Sequence, residues 1–170
     1  VATYSYDDLG RVTGIDYIAQ FVERARGEAR ERGAANVTFD QGDVLDLGPL
    51  VARHGQHDVA VSIRCLINLA NWDNHRRGLA EIAATVRPGG LLLISEGWQE
   101  GMDGLNLRRT RAGLAPIQVV RYNVLMGRQA FETEARRHFE ILDYVSLGFY
   151  LYMSRVFQPL LVAPESPRHD

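Results

Sequence analysis

The residue types that could do chemistry fall at the ends of predicted strands: Asp16, Asp43, Arg64 with Cys65, and Glu96. In an open parallel sheet a ligand lies outside the carboxyl ends of the strands, near the point where strand order reverses. Asp16 closes the run Val12-Thr13-Gly14-Ile15. A carboxylate there can accept hydrogen bonds from both hydroxyls of a ribose. It can equally cap a helix beginning near Ile18. Glu96 closes a second apolar run, where a carboxylate can orient or deprotonate a hydroxyl nucleophile. It can also cap the turn at Gly97-Trp98. Asp43, after Gly42, reads by itself as a turn residue. Cys65 has no histidine nearby in sequence to make it a nucleophile, and its ordinary role is small apolar filler. Asn68 suits an acceptor or plain loop polarity. Trp72, Trp98 and Tyr122 suit a pocket wall or simple packing. His54 and His57 lack a cysteine partner, and no zinc, calcium or P-loop spacing occurs.

The elements that must position these residues follow from hydrophobic period. Val59, Val61 and Ile63 alternate, so Asp58 to Arg64 reads as a mostly buried strand. From Trp72 the period turns helical, with Leu79, Ile82, Ala83 and Val86 on one face and Asn71 or Asp73 as cap. Pro88-Gly89-Gly90 stops that helix, and Leu91 to Ser95 suits a strand covered on both faces. Strand, helix, strand is a right-handed βαβ crossover. Upstream, Ala2 to Tyr6 and Val12 to Ile15 read as strands. A helix with Ile18, Phe21, Val22, Ala25 and Ala29 follows, ending at Gly33, and then a strand from Val37 to Gln41. Leu47 to His54 reads as a short helix. Downstream, helices are expected over Leu105–Leu114, Arg128–His138 and Phe149–Ser154. Strands are expected over Phe139–Ser146 and Val156–Val162, completing one edge as an antiparallel pair.

The unit ending in Arg87-Pro88-Gly89-Gly90-Leu91-Leu92-Leu93-Ile94-Ser95-Glu96 resembles the fourth and fifth strand region of class I S-adenosylmethionine-dependent methyltransferases. Val12-Thr13-Gly14-Ile15-Asp16 and Gln41-Gly42-Asp43-Val44 resemble two further landmarks of that family, in the same order. The resemblance runs over residues 11–162. It implies an α/β fold: an incomplete doubly wound, Rossmann-like, mostly parallel sheet with an antiparallel edge strand. It implies S-adenosyl-L-methionine as cofactor and methyl transfer to the oxygen or nitrogen of a small molecule. Asp16 would then take the ribose and Asp43 the adenine amino group, with the Val44 amide beside the ring. Arg64 and Cys65 would lie by the methionine part, and Glu96 would be catalytic. The Arg64–Glu96 arrangement and the aromatic tail are also similar to methyltransferases linked to surface polysaccharide assembly.

One family element is missing. The family opens with a strand, a glycine-rich loop and a helix ahead of the strand that ends in Asp16. This sequence contains no Gly-x-Gly, and only ten residues precede Arg11. A parallel crossover needs about a dozen connecting residues, so a strand at Ala2–Tyr6 that pairs with Val12–Ile15 must run antiparallel to it. Three explanations stand side by side: an N-terminally truncated methyltransferase, an unrelated segment joined at Gly10-Arg11-Val12-Thr13, or residues missing ahead of this sequence. Residues 1–10 are a strand-like lead-in of unassigned origin, and residues 11–170 the methyltransferase-like domain. Tyr4-Ser5-Tyr6-Asp7 with Gly10-Arg11-Val12 also resembles one copy of the YD repeat of large β-rich shell proteins. A gap between the strands ending at Asp16 and Arg64, or an open sheet edge, would favour homo-oligomers.

Composition narrows the alternatives. Lys plus Arg is 19 against 21 Asp plus Glu, a net charge of −2. That balance makes no electrostatic case for nucleic acid or an anionic membrane. The single Cys65 excludes an internal disulfide and suits a reducing compartment. With no signal-peptide pattern and no membrane-length apolar run, the expected setting is cytoplasmic. The alternative function is a non-catalytic module of the same fold.

Overall fold

Strand pairing brings the predicted strand ends to one edge of the sheet. The structure is a computed structural model that describes residues 3–6 and 10–162. The chain folds as two compact units, Val1–Glu96 and Gly97–Asp170. The first unit holds β1 (Thr3–Tyr6), β2 (Val12–Asp16), α1 (Ala19–Glu31), β3 (Val37–Gln41) and α2 (Gly48–His54). These are followed by β4 (His57–Ile63), a 3-10 turn (Leu66–Asn68), α3 (Trp72–Ala84) and β5 (Val86–Ser95). The sheet order is β3-β2-β1-β4-β5. β2 is parallel to β3 and β4 is parallel to β5.

β1 runs antiparallel to both of its neighbours, β2 and β4. Residues 7–11 are too few for a crossover, so the chain must reverse. Two expectations change here. The antiparallel strand is internal, and no gap remains between β2 and β4, because β1 fills it. β2, β3, β4 and β5 consequently share one direction, and their carboxyl ends lie on one edge of the sheet.

The steps from β2 to β3 and from β4 to β5 go in opposite directions along the sheet. Right-handed crossovers then set α1 and α3 on opposite faces. Under α3 the unit builds its core from Ala60, Leu66, Ile67, Leu79 and Ile82, all at most 1 % exposed. The other side of β5 differs from the expected two-sided burial: Leu91 and Leu93 remain 48 % and 56 % exposed. No helix of this unit covers that face. Asn71 is the cap of α3, its side chain accepting from the Asn74 N–H at 2.9 Å.

Pro88-Gly89-Gly90 does not stop the helix as expected. α3 ends at Ala84, and the three residues lie inside β5, where the pairing with β4 shifts register between His57 and Val59. Gly89 takes φ +78°, and a Cβ on Gly90 would sit 2.7 Å from the Asp58 carbonyl oxygen. The glycines permit a close backbone approach that no side chain would allow. At the opposite end of the sheet Asp40 of β3 joins His54 at 2.7 Å and Arg53 at 2.9 Å, both from α2. Burial pushes the Asp40 carboxyl up, but those two partners outweigh it and hold it below its ordinary value.

The second unit is helical among the described residues. It contains α4 (Gln99–Arg111), α5 (Arg128–Ala135), α6 (Gly148–Tyr152), a π-helical turn (Met153–Phe157) and α7 (Gln158–Val162). Leu105, Leu114 and Val156 form its buried cluster. Arg109 is 1 % exposed and donates to the carbonyls of Ala115 and Arg155. The two expected strands are corrected here. Phe139–Ser146 has no regular structure, and Val156–Val162 is helical. Val156 and Pro159 are buried in that last run, a helical spacing of three rather than the strand spacing of two.

Two glycines test this packing. Gly90→Ala should cost about 1–3 kcal/mol of unfolding free energy through overpacking against Asp58. Gly27→Ala, inside α1 with nothing within 4 Å of the new methyl, should gain about 0.5–1 kcal/mol. Urea unfolding followed by circular dichroism measures both.

Candidate functional site

The parallel strands bring the predicted residues to one edge of the first unit. Asp16 follows Ile15 at the end of β2, and its Oδ1 accepts from the Ile18 N–H at 2.8 Å. It does not cap α1 in the ordinary sense, since the cap residue is Ile18 and α1 has no side-chain cap. Gln41, paired with Asp16 across the ladder, donates from Nε2 to the Tyr17 carbonyl at 3.1 Å. Beyond β3, the Gly42 N–H donates to the Asp16 carbonyl at 3.1 Å, which ties the two strand ends together.

Asp43 is half-buried, and its Oδ1 accepts from the Leu45 N–H at 2.9 Å. This makes a tight turn closed by a bridge to Asp46. Val44 in that turn faces α3: its Cγ1 lies 3.8 Å from where a Cβ on Gly78 would stand. The turn is thereby held against the helix that follows β4.

The β4 end is the most constrained part of the edge. Arg64 has φ +50°, the one left-handed non-glycine residue among those described. Such a conformation persists only where surrounding structure imposes it. Its N–H donates to the Ser95 carbonyl at 2.8 Å, and its own carbonyl accepts from Asn68 Nδ2 at 2.6 Å. Then the chain makes the 3-10 turn. Leu66 and Ile67 drop into the core, and Leu66 lies so near α3 that a Cβ on Gly78 would come within 2.9 Å of it.

Glu96 supplies the other half of this constraint. Its Oε1 accepts from the N–H groups of Cys65 and Leu66, both at 2.9 Å, and its Oε2 accepts from that of Ile67 at 3.3 Å. The carboxylate thus satisfies the amides that open the 3-10 turn, groups that have no partner within the turn itself. Sequence reading offers a hydroxyl substrate or the Gly97-Trp98 turn as the partner of Glu96. The structure shows a backbone partner 29 to 31 positions away, which no local spacing reveals. Gly78 likewise carries no signal of its own, its use being the close approach of Leu66 and Leu69. Burial pushes the Glu96 carboxyl above its ordinary value, against the pull of the Leu66, Ile67 and Cys65 amides and the Arg64 charge. His75, 2 % exposed on α3, is pushed down by burial, with the Leu69 backbone opposing.

A cavity of about 530 Å³ lies elsewhere, lined by Arg26, Phe39, Asp40 and His54 among others, and includes none of these strand-end residues. Among the described residues, no helix is long and apolar enough to cross a membrane.

Against known proteins, the profile of the "Methyltransferase domain" family matches residues 2–90. A ubiquinone/menaquinone biosynthesis C-methyltransferase of Bdellovibrio bacteriovorus is 33% identical over 87 residues, 51% of this chain and 34% of that protein. The chain therefore spans about a third of the length of this curated relative. Among solved structures, the PH0226 protein of Pyrococcus horikoshii superposes with a TM-score of 0.57 at 18% identity, over 81% of this chain and 67% of that one. An O-methyltransferase family protein of Burkholderia thailandensis gives a TM-score of 0.54 at 19% identity, over 74% and 37%. These likenesses carry the fold: an α/β, Rossmann-like arrangement with a mostly parallel sheet.

The raised Glu96 carboxyl has a definite linkage sign. Between its unfolded value near 4.5 and its raised folded value, the native state binds more protons than the unfolded state. The stability from Glu96 is therefore fully present below the unfolded value and lost as pH rises through the folded one. The stability of wild type relative to Glu96→Gln should fall as pH rises across that window, measured by urea unfolding at a series of pH values.

Proposed function

The chain belongs to the methyltransferase domain family, and on that premise we propose that it binds S-adenosyl-L-methionine at the carboxyl edge of the first unit and transfers a methyl group to a small molecule. The observation that carries this reading is the gathering of Asp16, Asp43, Arg64, Cys65 and Glu96 at the ends of four strands that share one direction.

The residues present fit the nucleoside half of the cofactor. Asp16 would accept from the ribose hydroxyls and Asp43 from the adenine amino group, with the Val44 backbone beside the ring. The fixed turn from Arg64 to Asn68 would offer backbone groups to the methionine part. When bound, S-adenosyl-L-methionine supplies an electrophilic methyl group on a sulfonium. This chain's share of the work is then orientation, holding the nucleophile in line at close range, which can lower a barrier by about 7–11 kcal/mol. The methionine half is less well provided, because the sequence has no Gly-x-Gly and β1 stands inverted beside β2 and β4.

For the acceptor, the proposal is an oxygen or nitrogen of a small molecule. The surface-polysaccharide setting rests on the Arg64–Glu96 arrangement and the aromatic tail alone. The C-methylating relative makes carbon the competing acceptor atom. Residues 11–170 are proposed to carry the function, residues 1–10 to be a lead-in, and the setting to be cytoplasmic. Self-association would use the outer edge of β5, where an apolar strand ends the sheet. The second reading, a non-catalytic module, is favoured by one observation, the inverted β1 in the central position.

Two measurements decide between them. If Asp16 holds ribose, Asp16→Ala should abolish adenosine binding with little loss of thermal stability. If its bond to Ile18 is its whole role, the change should cost about 0.5–2 kcal/mol of stability and leave binding alone. Titration with S-adenosylmethionine should give weak binding. Losing two charge-assisted hydrogen bonds at the methionine end costs about 3–6 kcal/mol, a hundredfold or more in affinity. A low-micromolar dissociation constant would overturn that account of the methionine end. No binding of either ligand would favour the non-catalytic module.

A further inference from the structure

We propose that Glu96 is a positioning residue for this site, acting through the backbone of the Arg64–Asn68 turn rather than on the substrate. The inference rests on the functional reading above and adds to it the device that shapes the methionine and acceptor end.

The geometry leaves the carboxylate little else to do. One oxygen accepts two amides at 2.9 Å and the other accepts a third at 3.3 Å. A group so engaged is poorly placed to take a proton from a nucleophile, because proton abstraction needs an oxygen within hydrogen-bond reach of the substrate. What it does instead is orient three successive N–H groups inward. With the amides of Cys65, Leu66 and Ile67 turned toward Glu96, the turn must begin at Arg64 in its left-handed conformation. The buried side chains of Leu66 and Ile67 lock the same turn from below. The Asn68 side chain closes it by donating to the Arg64 carbonyl. The clamp also links the ends of β4 and β5, which the Arg64 N–H to Ser95 carbonyl bond already joins. A carboxylate is suited to this task because charge-assisted bonds to backbone amides are stronger than neutral ones.

The test uses amide hydrogen exchange and chemical-shift mapping of the whole chain, wild type against Glu96→Gln and Glu96→Asp. Glu96→Gln keeps one acceptor oxygen and turns an NH2 group toward an amide; Glu96→Asp keeps the charge and shortens the reach. Exchange at residues 65–67 should accelerate about tenfold or more in Glu96→Gln, with residues of β2 and β3 unaffected. Glu96→Asp should fall between. In wild type, S-adenosylhomocysteine should shift amides of residues 64–68 and adenosine should not. In Glu96→Gln the response at 64–68 should be lost while adenosine, read at residues 16 and 43–45, binds within about twofold of wild type. A merely structural Glu96 would weaken both ligands together, and that result overturns the proposal. Unchanged exchange at 65–67, or an unchanged response at 64–68, also overturns it. If neither ligand shifts any amide of the wild type, the functional reading fails and the positioning role with it, while the exchange data still show whether Glu96 holds the turn.

Discussion

A connection as short as residues 7–11 cannot carry a parallel crossover, and the sheet of this protein is arranged around that limit. β1 must reverse into β2, and it then lies antiparallel to β4 as well. Two blocks of parallel strands, β2 with β3 and β4 with β5, are joined through this one inverted strand and still point the same way. That common direction is what gathers Asp16, Asp43, Arg64 and Glu96 at one edge. On the far side of β5, Leu91 and Leu93 stay exposed.

At the edge itself, long-range hydrogen bonding does what local propensity cannot. The turn after β4 holds an arginine at positive φ, a conformation unfavourable for a residue with a Cβ. It persists because Glu96 takes three amides and because Leu66 and Ile67 are buried against α3. Gly78 leaves room for that burial. The cost of desolvating the Glu96 carboxyl is visible in its raised pKa, and the amide bonds offset part of it.

The first unit was largely readable from period and punctuation. β2, β3, β4 and the helices between them lie near their expected positions, because alternation, helical spacing and an Asn cap act over a few residues. Pro88-Gly89-Gly90 misled because glycine and proline mark both a helix stop and an irregular strand, and only pairing with Asp58 shows which one applies. In the second unit the run Val156–Val162 carries mixed signals: Val156, Phe157 and Val162 favour strand, while Gln158, Leu160 and Leu161 favour helix. It is helical here because a strand needs a partner and none is formed among the described residues of that unit. The burial of Val156 and Pro159 follows the helix repeat.

The sequence by itself therefore determined the α/β class, the parallel strands, the forced reversal of β1 and the acidic residues at the strand ends. All of these follow from local period, chain reach or residue type. Only the tertiary structure decided what each strand end is bonded to. Asp16 accepts from Ile18, two residues away, a contact within reach of sequence reasoning. Glu96 accepts from amides 29 to 31 residues away. Backbone N–H groups are the same in every residue but proline, so nothing in the sequence marks which three will turn toward a carboxylate. That choice is made when β4 and β5 pair and bring the two loops together.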